Sequence, residues 1–132
     1  MKISGVRIWD LRDCKEVAIP EGTERIGNYW FCDSGIESAS LPASVRKIGS
    51  GAFCGCKNLK KVVFDEGCRL ETIGDSAFCC CVNLTKISLP ECVEKISVCA
   101  FTNSGLENIK FPASLRTVAR ASFAMCRNLR TA

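Results

Sequence analysis

The sequence predicts a β-rich repeat solenoid of about five turns, with a parallel sheet on one face and turns or short 3₁₀ segments elsewhere. Two observations predict this fold: a phenylalanine recurs every 22 to 25 residues, and a short segment of alternating apolar and polar residues lies between the copies. The 132 residues, 47% of them hydrophobic, are sufficient for one domain with a real core. We expect that domain to span residues 1–132, and it could belong to a longer array.

The phenylalanine positions define the repeat. Successive copies are 22, 25, 23 and 22 residues apart, and an Ile-Gly pair or its equivalent lies five residues before each. The extra length has two sources: a Cys-x-Asn-Leu loop adds one residue, and residues 65–70 add two. Because these insertions account for every spacing, the copies are units of one repeated structure. The units are centred on Phe31, Phe53, Phe78, Phe101 and Phe123.

Short β-strands are predicted between the phenylalanine copies. The segments LKKVVF, LTKISLP, IESASLP and LENIKFP place apolar side chains two residues apart, which is the period of a strand with one buried face. Proline ends three of these segments, since it cannot donate to a β ladder. KEVAIP reads as another such strand, and ISGVRI is a further candidate. Stacked turns would place the strands about 4.8 Å apart in a parallel sheet, and the runs before each phenylalanine are too short for a stable helix.

The full unit is Pro-x-Ser-Val-x-x-Ile-Gly-x-x-Ala-Phe-x-x-Cys-x-x-Leu-x-x-Val-x-Phe, which is clearest at residues 42–64. This pattern resembles the BspA-like, Treponema-type leucine-rich repeat, and the resemblance covers about residues 17–129. It implies a leucine-rich-repeat solenoid that is curved, lined with β-structure and used for adhesion and protein binding, often at the cell surface. The chain departs from the pattern in its high cysteine content.

The chain has 11 cysteines and no histidine. Equivalent positions stack in a solenoid, so most of the cysteines near the phenylalanines form two columns in which serine, threonine and alanine replace them. That exchange is typical of a tight slot, where a free cysteine packs as a small apolar group. Cys80 belongs to neither column, and we expect it in a loop or exposed. The columns are Ser34, Cys56, Cys81, Ser104 and Cys126, which follow phenylalanine by three residues, and Cys32, Cys54, Cys79, Thr102 and Ala124, which follow by one.

Two other roles for the cysteines stay open. Cys54, Cys56, Cys79 and Cys81 could form a zinc site, although structural zinc usually takes ligands with C-x₂₋₄-C spacing rather than C-x-C. Stacked cysteines also meet the Cα distance that a disulfide requires. A chain without an export signal should stay reduced. We therefore expect Cys56, Cys81 and Cys126 to be buried thiols, with no metal and no cofactor.

No motif indicates catalysis. The absence of histidine excludes the common triads and dyads. A net charge of +4 is too small to favour nucleic acid as a partner, and no apolar run approaches the roughly 18 residues of a membrane span. Charged residues interrupt the opening segment where a signal peptide has its apolar stretch. We expect a non-enzymatic protein that is cytoplasmic as the chain stands, although the resemblance implies a surface location.

The outward positions of the predicted strands are the candidate binding site. Inward side chains are used by the core, so the outward ones form the regular and chemically variable surface of the solenoid. The lysines among them favour a protein partner, or a glycan, with acidic or sulfated groups. The positions are Ser38, Ser40, Lys61, Val63, Lys86, Ser88, Asn108 and Lys110.

Two alternatives to a binding module remain: a purely structural segment of a longer solenoid, and a thiol- or metal-responsive protein, which only the cysteines support. The ends of the array matter as well, because terminal repeats normally need a polar cap. We expect Trp9 and Trp30 to form a partial lid over the first turn. We expect the C-terminal edge near Leu129 to be less stable and able to self-associate.

Overall fold

The structure is a computed structural model that describes residues 2–3, 6–7 and 15–130. In this part of the chain, successive repeats stack into a solenoid of about five turns with parallel sheets and no helix, which confirms the predicted fold class. Strands β1 (Lys2–Ile3) and β2 (Val6–Arg7) pair antiparallel. The described residues of the ISGVRI segment therefore pair with each other and not with the strands of the repeat. Trp9, one half of the predicted lid, lies outside the described residues.

Two walls of the solenoid carry parallel sheets. The first sheet has the order β3-β5-β7 and consists of β3 (Glu16–Ala18), β5 (Ser38–Leu41) and β7 (Lys61–Phe64). The second forms from the Ile-Gly segments, which lie outside the strands that the sequence predicts. Its order is β10-β9-β8-β6-β4, with β4 (Arg25–Ile26), β6 (Lys47–Ile48), β8 (Thr72–Ile73), β9 (Lys95–Ile96) and β10 (Thr117–Val118).

The first sheet ends at β7, which differs from the prediction. LTKISLP and LENIKFP keep the predicted alternation, with Ile87 and Ile109 buried, but residues 86–89 and 109–111 are not strands. The corner after β7, residues 65–70, is two residues longer than its counterparts, and we attribute the separation of the next segment from β7 to this extra length. Side-chain alternation survives the separation because it depends only on an extended backbone.

The phenylalanine column forms the centre of the core. The rings of successive turns stack nearly parallel, with centroids 5.2, 5.1, 5.2 and 5.3 Å apart. The first four rings are buried, whereas Phe123 is only partly buried because no further described turn covers it, so the expectation that the whole column is buried is wrong for its last ring. At the other end, Trp30 packs edge-on against Phe31, with centroids 6.4 Å apart, so this tryptophan does cover the first ring of the stack.

Each phenylalanine lies between two residues with left-handed backbone. These residues let the chain turn tightly on both sides of the ring, so the segments predicted as turns or short 3₁₀ segments are consecutive β-turns. Successive N–H groups then donate alternately within a repeat and to the next repeat. Ala52 N donates to Gly49 O of the same repeat at 3.2 Å, and Phe53 N donates to Ala77 O of the next repeat at 2.8 Å. The left-handed residues are Tyr29, Gly51, Ser76, Cys99 and Ala121 before the ring, and Asp33, Gly55, Cys80, Asn103 and Met125 after it.

We predict that Phe78→Ala lowers the free energy of unfolding by about 3–5 kcal/mol, because the change empties a fully enclosed site in the middle of the stack. Phe123→Ala is the matched control and should cost about half as much, since Phe123 is only partly buried. Urea titration followed by circular dichroism measures both values. Equal losses in the two variants would contradict the assigned position of Phe78 at the centre of the core.

Candidate functional site

The outward face of the first sheet results from strand alternation. In β5, Ala39 and Leu41 point into the core, and the two serines between and before them point out. Pairing with β7 places Ser38 beside Lys61 and Ser40 beside Val63, whose side chain is 39% exposed. Four of the eight predicted residues therefore form two neighbouring columns. We call the eight predicted positions together the outward face.

The other four predicted residues extend the outward face beyond the β3-β5-β7 sheet, and of these Asn108 forms an isolated bridge. Lys86 and Ser88 are exposed on either side of the buried Ile87. Asn108 and Lys110 are exposed in the same way one turn later. Seven of the eight positions are thus exposed and Ser38 is half-buried, while the β5–β7 ladder fixes the first four of them.

The charge on this side of the solenoid changes along its length. Glu16 pairs with Ser38, so an acidic residue lies at the start of the column that contains Lys61. Lys86 and Lys110 lie on the next two turns. None of the three lysines has an ion pair or a side-chain hydrogen bond within residues 15–130. Their ammonium groups are therefore available to a partner, and the basic part of the face lies on its third to fifth turns.

Two depressions lie along β7. One, of about 340 Å³, is on the outward face between Ser38, Ser40 and Lys61. The other, of about 620 Å³, separates residues 60–64 from residues 86–88 and contains the break in the first sheet. Sequence reasoning missed this second depression, because alternating burial is the same in a paired and an unpaired extended segment.

The cysteines three residues after phenylalanine make directed contacts. The Sγ atom of Cys56 donates to the carbonyl oxygen of Phe31 at 3.0 Å, and that of Cys81 donates to Phe53 at 3.1 Å. Both thiols are fully buried, as predicted. Each side chain is therefore a weak hydrogen-bond donor that links adjacent turns, not only a small apolar group. The exchange of cysteine with serine in this column agrees with the donor role, since both side chains can donate, but it agrees equally with a requirement for small size.

Cys126 differs from the prediction that it is buried. Its Sγ atom makes the equivalent bond to the Phe101 carbonyl oxygen at 3.0 Å and lies 3.3 Å from Ser104 Oγ, but the side chain is only partly buried. The reason is its place in the last described turn, where no further described repeat covers it. The contact pattern of the column thus continues to the end of the array, while its burial does not.

The cysteines one residue after phenylalanine are more accessible. Cys32, Cys54 and Cys79 are half-buried, and Cys79 Sγ lies 3.6 Å from the sulfur of Cys80. Burial, together with the Cys80 thiol, raises the pKa of Cys79 to about 12. Cys80 has left-handed backbone and is half-buried, which agrees with the expected loop position.

Burial makes the inner thiols poor ligands and nucleophiles. It raises the pKa of Cys56 to about 11 and that of Cys81 further still. Zinc binds the thiolate, so the cost of removing the proton from these groups would oppose ligation. No group of three or more His, Cys, Asp or Glu residues in the described part of the chain is placed to hold a metal ion. The ten cysteines from Cys32 to Cys126 are free thiols.

Comparison with known proteins identifies the family. The profile of the BspA type leucine rich repeat region matches residues 9–131 in six copies, one more than the five units centred on phenylalanine. The chain therefore belongs to the BspA-type leucine-rich repeat family. No curated protein matches the chain.

Several solved leucine-rich repeat structures are similar to the chain. The leucine-rich repeat protein of T. pallidum, TpLRR, is 29% identical with a TM-score of 0.79, over 86% of this chain and 56% of that one. A protein from Eubacterium ventriosum is 25% identical with a TM-score of 0.83, over 96% and 36%. The pneumococcal vaccine antigen PcpA is 25% identical with a TM-score of 0.65, over 86% and 38%. The chain thus spans between about a third and about half of the length of these proteins.

In the described residues, no helix is long and apolar enough to cross a membrane.

We predict that Cys81→Ser changes the free energy of unfolding by less than about 1 kcal/mol, because a serine hydroxyl can also donate to the Phe53 carbonyl oxygen. Cys81→Val is the matched control. It keeps an apolar side chain but loses the donor, and it should cost about 1–3 kcal/mol. Urea unfolding measures both. A tolerated valine and a damaging serine would show that the slot requires apolarity alone.

We also predict a pH dependence that comes from Cys56. The folded protein holds the Cys56 proton up to a pKa of about 11, whereas an unfolded cysteine titrates near 9, so the stabilisation is complete below pH 9 and is lost as the pH rises toward 11. The wild type should lose about 2–3 kcal/mol more than Cys56→Ser across this interval. Parallel urea titrations at pH 8 to 11 test this, and identical pH profiles would contradict it.

Proposed function

We propose that the protein is a non-catalytic interaction module, and that a protein or glycan with acidic or sulfated groups docks on the outward face. The observation that carries this proposal is the exposure of Lys61, Lys86 and Lys110 on one side of the solenoid without ion pairs in the described residues. Leucine-rich repeat proteins are typically non-enzymatic, and the family gives the solenoid a regular surface for partners.

The proposed contact is electrostatic and limited in range. Exposed charges are screened over about 8 Å at physiological ionic strength, so the lysines attract a partner only when it lies directly on the face. Ser38 and Ser40 supply hydroxyl groups beside the basic region, which suits the hydroxyl, sulfate or carboxylate groups of a glycan or the side chains of a protein.

A second candidate is self-association at the C-terminal edge of the described solenoid. Strand β10 is the last strand of its sheet there, and Val118 and Met125 beside it are 44% and 57% exposed. An edge strand with unpaired backbone groups can pair with another chain. Sedimentation at increasing protein concentration tests this candidate separately from binding at the outward face, and a constant monomer mass would refute it.

We predict that changing Lys61, Lys86 and Lys110 together to serine weakens binding of heparin, as a sulfated probe, at least tenfold and leaves the unfolding midpoint within about 3 °C. The matched control changes Lys47, Lys57 and Lys95 to serine; these lysines are also exposed, and the change in net charge is the same. Isothermal calorimetry at two salt concentrations measures affinity, which should fall as salt rises. Equal weakening by the two triple variants would show that overall charge, not the outward face, binds the probe.

A further inference from the structure

The break in the first sheet leaves a cleft between two extended segments. It has a volume of about 620 Å³, which lies in the range of ligand-binding sites, and it is lined by residues 60–64 on one side and 86–88 on the other. In an unbroken repeat, Lys86 and Ser88 would pair with β7 as Lys61 and Val63 pair with β5. No backbone hydrogen bond joins residues 60–64 to residues 85–89 in the structure.

Backbone groups that have no partner among the described residues face the cleft from β7. Lys61 N donates to Glu37 O at 3.3 Å and Asp65 N donates to Leu41 O at 3.0 Å, so both point toward β5. Alternate residues of a parallel strand direct their N–H and C=O groups to opposite sides. The N–H and C=O groups of Val62 and Phe64 are therefore directed into the cleft. Such an edge is a template for pairing with another strand.

The floor and the rim of the cleft define its chemistry. Val62 and Ile87 are each 7% exposed, whereas Ala39, which is equivalent to them and lies within the closed part of the sheet, is 1% exposed. The floor is thus apolar and partly open. Lys60, Lys61 and Lys86 lie at one end, with no acidic residue among the lining side chains there.

The other end of the cleft is acidic. A depression of about 460 Å³ continues past Phe64 to Asp65, Glu66 and Glu91. The charges along the break are therefore segregated, with lysines where the two segments begin and carboxylates where they end. An occupant that lies along the break meets opposite charges at its two ends, which fixes how its own charged side chains must be arranged.

We propose that the partner adds an extended peptide strand to β7 within this cleft, with its acidic side chains at the end that carries Lys60, Lys61 and Lys86. The peptide backbone pairs with the free groups of Val62 and Phe64. Its inward side chains cover the apolar floor. The inference rests on the proposed function, because the same lysines attract the partner, and it names the partner as an acidic segment of protein rather than a glycan.

The first experiment uses an acetylated, amidated hexapeptide, Glu-Val-Glu-Val-Thr-Val, and two versions that are N-methylated at every second amide in either frame. The methyl groups keep the charge and the side chains but remove backbone donors. Calorimetry should show binding of the parent peptide and about tenfold weaker binding of both methylated peptides. A peptide with lysine in place of glutamate is the charge control and should not bind.

Amide exchange provides a second readout on the wild-type protein. In the free protein, the Val62 and Phe64 amides should exchange fast. The parent peptide should slow both amides more than tenfold and leave the Lys61 amide, which is already bonded to Glu37, unchanged. The variant Ser88→Pro removes one N–H on the far side of the cleft, at a position with no hydrogen bond in the described structure, and should weaken peptide binding several-fold while the unfolding midpoint is unchanged.

The outcomes separate this inference from the proposed function. If methylated and parent peptides bind equally well, strand addition is wrong, but the proposal that the partner docks on the outward face is not affected. If heparin binds and no peptide does, strand addition is again wrong. If neither heparin nor any peptide binds the wild type, both proposals fail. Tight binding of the parent peptide alone, with protection of Val62 and Phe64, supports strand addition.

Discussion

The stack of phenylalanine rings is the constraint on which the rest of the solenoid depends. Ring centroids in adjacent turns are 5.1 to 5.3 Å apart, which is close to the spacing of hydrogen-bonded strands. One rise per turn therefore satisfies both the aromatic contacts inside and the backbone ladders on the walls. The left-handed residues on each side of the ring make this possible, since they bring the chain in and out of the core within a few residues. Their conformational cost is offset by the bonds between turns.

Much of the fold could be predicted because it depends on the period of the side chains. The phenylalanine spacing indicated the turns, and the inward pairs such as Val62 with Phe64 indicated the orientation of the extended segments. The hydrogen-bond partners of these segments, in contrast, could not be predicted from the period of the side chains. Whether Lys86 and Ser88 pair with β7 depends on the path of residues 65–70 in three dimensions, and alternation carries no information on that path. The antiparallel pairing of β1 with β2 escaped prediction for the same reason.

In the candidate site, too, the individual residues could be predicted from the sequence, but their arrangement in three dimensions could not. All eight positions of the outward face could be chosen from alternation alone, yet the cleft beside Lys61 depends on an interrupted ladder. For the cysteines, column membership was predictable, while the bond from each inner thiol to a phenylalanine carbonyl was not, because small size and donor capacity permit the same substitutions. The prediction for Cys126 was wrong because burial requires a neighbour on each side.

The interruption after β7 also has a mechanical consequence. The third and fourth turns are joined by the second sheet and by the stacked Phe53 and Phe78 rings, but not across the first sheet. Bending the solenoid at this junction would stretch no backbone hydrogen bond between residues 60–64 and 85–89, whereas the bonds of the second sheet oppose it. The wall of the first sheet beyond β7 is therefore the side on which backbone hydrogen bonds constrain the curvature of the array least.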